Sequence, residues 1–234
     1  MPFIEVKGNN YYYEIVGNGA PLVLIHPYMS SVFHWHKSGW VDLLKGDNKL
    51  IMLDYPGHGK SSSPKEIENY YVSNVSEILI TLLNKIGISN FSVFGFSMGG
   101  RVCFDLIKKH KDKLNCIIVG GMHPKPPKTH KKIITYKEEN LTPVVRQKFD
   151  PNALKLCNQA QNEWEGIDND EIKIFSKPVL LFAGSEDPYY NWIESTSKLF
   201  LNSEFIVIEG LGHIGAFWRT NRIVDHIKLI LRGR

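Results

Sequence analysis

The feature that most constrains this chain is a short apolar strand that runs into Gly95-Phe96-Ser97-Met98-Gly99, with a helix-compatible segment behind it. A serine at the apex of so sharp a strand-to-helix turn adopts strained backbone, and the close passage of neighbouring chain leaves no room for side chains at Gly95 and Gly99. Such a turn exposes the Ser97 hydroxyl above a sheet and points the Met98 N–H at the atom that Ser97 attacks. We therefore interpret Ser97 as a nucleophile rather than as part of an ordinary glycine-rich turn.

Composition places the chain among ordinary soluble globular proteins. Its 234 residues suit one domain with an insertion, and 43% are hydrophobic and 22% charged. A net charge of +4 gives no argument for nucleic-acid binding. We expect no signal peptide and no membrane span, because no basic segment precedes a long apolar run. Three cysteines without a Cys-x-x-Cys pair favour a reduced, cytoplasmic protein. The oligomeric state is left open.

Hydrophobic patterning predicts strands that alternate with helices. Continuous apolar runs predict strands covered on both faces, at 22–25, 50–53, 91–96, 114–119 and 178–183, with one more strand at 204–208. Helical spacing predicts helices at 35–44, 72–86, 193–201 and 216–231. A hairpin around Gly8-Asn9 precedes them all. This order predicts a mostly parallel twisted α/β sheet flanked by helices, with ligands at the carboxyl ends of the strands.

The segment 122–175 interrupts this alternation. It is polar, with amphipathic helical pieces around 143–149 and 153–164, and no convincing strand. We interpret it as a helical cap inserted into a core of 1–121 and 176–234; the alternative is a surface excursion that packs its own small core. Its start is rich in basic residues, which form either a solvated face or a basic rim that attracts an anionic substrate or an acidic carrier-linked acyl group. These residues are His123, Lys125, Lys128, His130, Lys131, Lys132 and Lys137.

The candidate catalytic residues all follow the carboxyl ends of predicted strands. A serine hydroxyl needs a general base, usually histidine, and the histidine needs a carboxylate to fix its tautomer. Of the nine histidines, only His213 lies in a glycine-flanked turn after the last strand. The acid is either Asp187 or its neighbour Glu186, and the Gly-x-x-Asp spacing favours Asp187. We predict a Ser97–His213–Asp187 triad.

Taken together, these motifs resemble the α/β-hydrolase fold family over the whole chain. The motifs are His26-Pro27, Asp54-x-x-Gly57-x-Gly59-x-Ser61, Gly95-Phe96-Ser97-Met98-Gly99-Gly100, Gly184-x-x-Asp187 and Gly212-His213. The resemblance implies the α/β-hydrolase fold with an inserted helical cap, and the chain order serine, acid, histidine. The motifs specify the substrate poorly, because the family includes esterases, lactonases, thioesterases, peptidases and C–C bond hydrolases. We expect a small-molecule ester, thioester or lactone as the substrate. The family's epoxide hydrolases and dehalogenases carry aspartate at the nucleophile position, so Ser97 argues against both activities.

The resemblance also assigns the oxyanion hole, and there the chain departs from the family pattern. The family usually has His-Gly where this chain has His26-Pro27, and proline lacks an N–H. The implied donor lies one residue later, so the hole consists of the backbone N–H groups of Tyr28 and Met98. His26, with Asp54 and His58, is expected to organise the loops structurally. The residues expected to line the substrate pocket are Phe149, Trp164 and Phe217.

The sequence therefore predicts a carboxylesterase-like serine hydrolase that forms an acyl-enzyme on Ser97. Acyl transfer to an alcohol or thiol by the same acyl-enzyme stays open, as does a non-catalytic ligand receptor on the same fold. We expect no metal and no cofactor. His34-Trp35-His36 is not a convincing ligand set, and the chain has no phosphate-binding or dinucleotide-binding glycine motif.

Overall fold

A single mixed sheet forms the centre of the computed structural model, which describes residues 2–126, 139 and 141–233. The strands are β1 (Phe3–Val6), β2 (Asn9–Val16), β3 (Ala20–Ile25), β4 (Asn48–Leu53), β5 (Phe91–Phe96), β6 (Leu114–Gly120), β7 (Val179–Gly184) and β8 (Ser203–Ile208). Their order across the sheet is β1-β2-β4-β3-β5-β6-β7-β8. The strand β2 pairs antiparallel with β1 and with β4, and all other pairs are parallel. The predicted mostly parallel α/β sheet is confirmed.

Helices cover both faces of this sheet. They are α1 (Val32–Lys37), α2 (Trp40–Leu44), α3 (Val72–Lys85), α4 (Met98–His110), α5 (Pro143–Lys148), α6 (Pro151–Asn162), α7 (Asn169–Lys173), α8 (Tyr190–Ser197), α9 (His213–Trp218) and α10 (Val224–Arg232). Alternate residues of β5 face opposite sides of the sheet and belong to two different hydrophobic clusters. Phe91 and Val93 pack with α3, α4 and α8, whereas Phe94 and Phe96 pack with α1, α2, α9 and α10. Because both faces are covered, the central strands read as continuous apolar runs.

Two predicted helices are each divided in the structure, so those predictions were wrong. The segment 35–44 breaks at Gly39, whose φ of +87° lies in the left-handed region and ends α1 before α2 begins. The segment 216–231 breaks at Arg219, whose ψ of +57° leaves the helical region, and the chain resumes as α10 at Val224. Helical spacing persisted through both breaks because each pair of short helices buries its apolar side against the same face of the sheet.

The N-terminal hairpin also differs from the prediction by one residue. Its turn is Lys7-Gly8 rather than Gly8-Asn9, and both residues have positive φ values, +51° and +76°. Positive φ at both central positions is what a two-residue type I′ hairpin requires. The prediction was therefore correct in placing Gly8 in the turn and wrong in placing Asn9 there, since Asn9 already belongs to β2.

The described ranges contain no helix that is both long and apolar enough to cross a membrane. Within the same residues, no three His, Cys, Asp or Glu side chains form a group that could hold a metal ion. Cys103, Cys116 and Cys157 are buried and free of disulfides. Burial in apolar surroundings raises the pKa values of the Cys103 and Cys157 thiols well above their usual range, as expected for packing rather than reactive cysteines.

Candidate active site

Ser97 occupies a strained turn between β5 and α4. Its φ of +53° and ψ of −116° are unusual for a residue with a side chain. A Cβ atom on Gly95 would lie 2.3 Å from the carbonyl oxygen of Gly99, and one on Gly99 would lie 2.1 Å from that of Ile25. Both glycines are therefore required by the close approach of backbone, as the sequence predicts. The Ser97 N–H donates to the Gly120 carbonyl at 2.8 Å, which fixes the turn at the carboxyl edge of the sheet.

The structure brings Ser97, His213 and Asp187 together from three separate loops. His213 Nε2 lies 2.8 Å from Ser97 Oγ, and His213 Nδ1 lies 2.8 Å from Asp187 Oδ2. In the matching tautomer, Nδ1–H donates to the carboxylate and Nε2 accepts the serine proton. All three residues are at least nine-tenths buried. This arrangement places a base next to a hydroxyl and fixes the base by a carboxylate, which is what nucleophilic activation of serine requires.

The neighbouring carboxylates Asp187 and Glu186 are distinguished by their positions. Asp187 is 4% exposed, and its Oδ1 also accepts the Tyr189 N–H at 2.9 Å, so both of its oxygens are held. Glu186 is exposed on the surface. The geometry therefore gives His213 the partner that the Gly-x-x-Asp spacing predicts.

Two aromatic residues that sequence reasoning did not single out hold the imidazole in place. The rings of Phe96 and Tyr189 lie 5.5 Å and 5.9 Å from the ring of His213. Phe96 is the variable residue before Ser97 in the glycine-serine-glycine motif, and Tyr189 lies two residues after Asp187. In the sequence, the only feature that points to Phe96 or Tyr189 is its position close to a predicted site residue. Together with Asp187 they restrict the orientation of His213.

The two predicted oxyanion donors both contact α6 through their side chains. Tyr28 Oη donates to the Leu154 carbonyl at 2.8 Å, and Cys157 Sγ lies 3.6 Å from Met98 Sδ. The loop after β3 passes directly over the turn at Ser97, since a Cβ on Gly99 would also lie 3.1 Å from the carbonyl oxygen of His26. The backbone that carries Tyr28 is therefore held between the sheet and α6.

Buried polar groups beneath this loop fix its shape. His26 Nδ1–H donates to the Pro27 carbonyl at 2.8 Å, and its Nε2 accepts the Tyr55 N–H at 3.0 Å. Burial lowers the pKa of His26 to about 3, so the ring is neutral. His58 Nδ1–H donates to the Pro56 carbonyl at 2.9 Å, and burial lowers its pKa to about 4.

Asp54 completes this layer by joining two loops. Its carboxylate accepts the N–H groups of Val32 and Lys60 at 2.7 Å and 2.9 Å. Burial raises the pKa of Asp54 to about 6, against the lowering effect of these hydrogen bonds. None of these three polar groups contacts Ser97, so the structure gives them the scaffolding positions that the sequence suggests.

Of the three predicted pocket residues, Phe217 lies nearest the triad. Its ring is 5.2 Å from that of Phe96, which in turn contacts His213, and it lines a cleft of about 140 Å³ together with Tyr28. The ring of Phe149 is 5.6 Å from that of His58, and its described contacts include no triad residue. The structure thus places one predicted pocket residue beside the site and a second against His58.

Trp164, the third predicted pocket residue, occupies a different place. It lies under the guanidinium of Arg101, 5.5 Å from the ring centroid, and lines a separate cleft with Tyr71 and Asp105 behind α4. Its described contacts do not bring it to Ser97. The tryptophan was a reasonable candidate from its apolar character, but the turn of chain after α6 directs it elsewhere.

Helices α5, α6 and α7 lie between β6 and β7 in the chain, where the cap is predicted. The described residues of this segment contain no strand. Helix α6 buries Ala153, Cys157 and Ala160 against the core. Arg101 Nη1 donates to the Gln161 carbonyl at 2.7 Å. Helix α6 therefore packs on the main core and not on a separate small one.

The predicted basic rim lies mostly outside the described residues. Lys128, His130, Lys131, Lys132 and Lys137 belong to that part of the chain. Lys125 Nζ donates to Asn169 Oδ1 at 2.6 Å. His123 is fully buried and packs against Tyr189 and Trp192, so it was wrong to count His123 as part of an exposed rim.

Comparison with known proteins agrees with this architecture. A family model described as the alpha/beta hydrolase fold matches residues 20–135. A putative non-heme chloroperoxidase of Synechocystis sp. is 34% identical over 133 residues, which are 54% of this chain and 46% of that protein. Bifunctional epoxide hydrolase 2 of Rattus norvegicus is 28% identical over 116 residues, which are 49% of this chain and 21% of that protein. The chain thus spans less than half the length of these two curated relatives.

Solved structures match over nearly the whole chain at low identity. A carboxylesterase structure from Nitrososphaera gargenis has a TM-score of 0.82 at 19% identity and covers 100% of both chains. A thermophilic esterase of Thermogutta terrifontis has a TM-score of 0.81 at 20% identity and covers 99% of this chain and 97% of its own. The enol-lactonase of Burkholderia xenovorans has a TM-score of 0.79 at 16% identity and covers 99% and 100%.

The fold and the site together define an α/β protein with a serine, a histidine and an aspartate assembled at the carboxyl edge of a parallel sheet. The chain has the α/β-hydrolase fold.

Proposed function

We propose that the protein is a serine hydrolase that cleaves a carboxylic ester of a small molecule, with thioesters and lactones as close variants. The observation that carries this proposal is the hydrogen-bonded line from Ser97 Oγ through His213 to Asp187, with 2.8 Å at each step. The names of similar solved structures, which include carboxylesterase, esterase and enol-lactonase, support the substrate class. Ser97 at the nucleophile position argues against epoxide hydrolysis, despite the partial similarity to an epoxide hydrolase.

In the proposed reaction, Ser97 Oγ attacks the acyl carbon while His213 Nε2 accepts its proton. The tetrahedral oxyanion accepts hydrogen bonds from the backbone N–H groups of Tyr28 and Met98. His213 then protonates the leaving oxygen or sulfur as the acyl bond to it breaks. An alcohol or thiol departs, whereas the hydroxyl formed from a lactone stays attached to the acyl group, and an acyl-enzyme results in each case. Water, deprotonated by His213, attacks this ester, and Ser97 recovers its proton as the acid leaves. Asp187 stabilises the imidazolium at both stages.

The segment 122–175 acts in this proposal as a helical cap that shapes the substrate pocket over a core of 1–121 and 176–234. Support comes from α6, which contacts both proposed oxyanion residues. Phe217 supplies apolar lining next to the triad, whereas Phe149 contacts His58 and lines a different cleft. The anionic or carrier-linked substrate that the lysine-rich segment suggests stays a prediction.

The experiment combines covalent labelling with turnover. A fluorophosphonate probe should add one label to the wild-type protein by intact mass, none to Ser97→Ala, and one to the control Ser63→Ala, whose serine is exposed and is not part of the triad. A panel of p-nitrophenyl esters and thioesters should be hydrolysed only by the labelled forms. Labelling that persists in Ser97→Ala would refute the assignment. Ester products in the presence of alcohols would establish acyl transfer instead, and ligand binding without turnover would establish a receptor.

A further inference from the structure

Another cleft is lined in part by residues of β2, and it lies apart from the triad. Its volume is about 470 Å³, and Ser97, His213 and Asp187 are not among its lining residues. Sites for small ligands typically have volumes in this range, with mostly apolar walls and a few convergent polar groups. We call it the lysine cleft and define it by Tyr12, Val32, Phe33, Lys60, Lys148 and Phe149.

The walls of the lysine cleft include aromatic side chains that the core does not fully bury. Phe33 is 58% exposed in the first turn of α1, and Phe149 is half-buried at the end of α5. The two aromatic residues come from elements that are far apart in the sequence and meet across the same cleft. An apolar ligand body placed between them would remove this surface from water, which is favourable.

Two lysines place positive charge in this cleft. Lys60 Nζ donates to Tyr12 Oη at 3.1 Å and lies 4.3 Å from the centroid of the Tyr12 ring, so the ammonium is held in place. Lys148 is exposed on α5. Neither lysine has a carboxylate within 4.0 Å among the described ion pairs. Burial lowers the pKa of His34, another wall residue, and the charge of Lys148 lowers it further.

One carboxylate that faces the cleft, that of Glu14, is already engaged by the protein. Its Oε1 accepts the Tyr12 hydroxyl proton at 2.5 Å, and its Oε2 lies 2.8 Å from His36 Nε2. Partial burial is the largest single effect and raises the pKa of Glu14, but the contacts with Tyr12 and His36 and the nearby charge of Lys60 together lower it below its usual value. Glu14 is therefore directed towards Tyr12 and His36 and does not pair with Lys60 or Lys148.

The other carboxylate, that of Asp54, is likewise occupied by the backbone. Its two oxygens accept the N–H groups of Val32 and Lys60, and the residue is only 2% exposed. The acids of the cleft thus have internal partners, while the ammonium groups of Lys60 and Lys148 retain donors for a ligand. The carboxylate of a bound ligand would give the two lysines the hydrogen-bond acceptor that neither Glu14 nor Asp54 provides.

We propose that the lysine cleft binds an amphipathic carboxylate. The aryl or alkyl body packs between Phe33 and Phe149, and the carboxylate lies between the ammonium groups of Lys60 and Lys148. Binding is non-covalent and involves no triad residue, so the inference does not rest on the proposed hydrolase activity.

Fluorescence titration with 1-pyrenebutyrate tests this proposal, with 1-pyrenebutanol as a neutral probe of similar shape. Removing a charged hydrogen-bond donor typically weakens binding by about tenfold or more, so the double variant Lys60→Gln/Lys148→Gln should lose at least that much affinity for 1-pyrenebutyrate. Its affinity for 1-pyrenebutanol should not change. Lys45→Gln, which alters an exposed lysine paired with Asp42 outside the cleft, is the matched control and should bind both probes like the wild type.

A third variant and a covalent block separate the lysine cleft from the triad. Phe33→Ser should weaken both probes, because it removes apolar wall without changing charge. Blocking Ser97 with a fluorophosphonate should leave 1-pyrenebutyrate affinity unchanged; if it abolishes binding, the probe occupies the triad pocket and the proposal is wrong. Equal affinity of the wild type and the double lysine variant would also overturn it. A protein that binds the probe at the cleft but never reacts at Ser97 would refute only the proposed hydrolase.

Discussion

Tyr28 Oη donates a hydrogen bond to the carbonyl of Leu154 at 2.8 Å, across a sequence separation of 126 residues. The backbone N–H of Tyr28 is the proposed second oxyanion donor, so the same residue is fixed at its side-chain end by α6. The sulfur contact between Met98 and Cys157 does the same for the other proposed donor. Helix α6 is therefore part of the support of the proposed oxyanion hole, and not only a cover above it.

We predict that Tyr28→Phe lowers kcat by about tenfold with little change in KM, because small displacements of a donor are expensive in the transition state. Steady-state kinetics on a p-nitrophenyl ester measures this. Tyr71→Phe is the control: its hydroxyl donates to Glu163 just beyond the other end of α6, at 3.1 Å, and is exposed. Equal losses in both variants would mean that α6 stabilises the fold and has no selective effect on the oxyanion hole.

Replacing each of the two neighbouring carboxylates by its amide should have very different effects on kcat. Asp187→Asn is expected to reduce kcat by roughly ten-thousandfold, because the amide favours the wrong tautomer of His213. Glu186→Gln alters an exposed side chain and should change kcat less than twofold, a roughly neutral surface effect. The measurement is kcat for both variants at the same pH. A crippled Glu186→Gln with a near-normal Asp187→Asn would reverse the assignment.

Gly99, which lies in the first turn of α4, should be intolerant of any side chain. In Gly99→Ala the new methyl group would lie 2.1 Å from the Ile25 carbonyl oxygen, which is backbone and has little freedom to move. We expect a loss of roughly 3 kcal/mol or more in the free energy of unfolding, measured by urea denaturation. Gly46→Ala, where no atom lies within 4 Å of the new methyl group, is the control and should change stability by about 0.5 kcal/mol or less.

Local backbone signals made much of the site predictable. Gly95 and Gly99 around Ser97 specify a turn that few other sequences permit, and the structure shows the crowding that they imply. Similarly, Gly87 ends α3 with φ of +73°, as its position after the apolar spacing indicates. Strands β3 to β7 were visible because burial on both faces leaves continuous apolar runs.

Contacts between distant segments were not predictable. Nothing near Tyr28 in the sequence indicates that its hydroxyl meets Leu154, and nothing near Trp164 indicates that it lies under Arg101. The breaks at Gly39 and Arg219 were missed for a related reason: apolar spacing reports which side of a helix is buried, and it continues when two short helices share one face.

Buried neutral histidine makes stability depend on pH. Burial lowers the pKa of His58 to about 4, below the unfolded value of about 6.5. The unfolded chain therefore binds a proton first as the pH falls, and stability is lost between about pH 6.5 and 4 at up to about 1.4 kcal/mol per pH unit. His26 acts in the same direction, whereas Asp54, whose pKa is raised to about 6, acts in the opposite direction.

Urea unfolding at pH 7, 6 and 5 tests this linkage. His58→Asn keeps an N–H that can donate to the Pro56 carbonyl but removes the titrating group, so the slope of stability against pH should become smaller. His226→Asn, at an exposed position, is the matched control and should preserve the wild-type slope. Parallel slopes for the wild type and His58→Asn would show that His58 does not contribute to the acid sensitivity.

The last prediction distinguishes the roles of two residues that the sequence assigns to the substrate pocket. Phe217 lies beside Phe96 and Tyr28, whereas Trp164 packs on Arg101 behind α4. Phe217→Leu should therefore shift the preferred acyl length of p-nitrophenyl esters towards longer chains, because the smaller side chain frees volume next to the triad. Trp164→Leu should lower stability through lost packing and leave the acyl-length profile unchanged. Measuring kcat/KM from acetate to octanoate for both variants decides the matter: a shifted profile only in Trp164→Leu would place the acyl pocket under α6 and not beside α9.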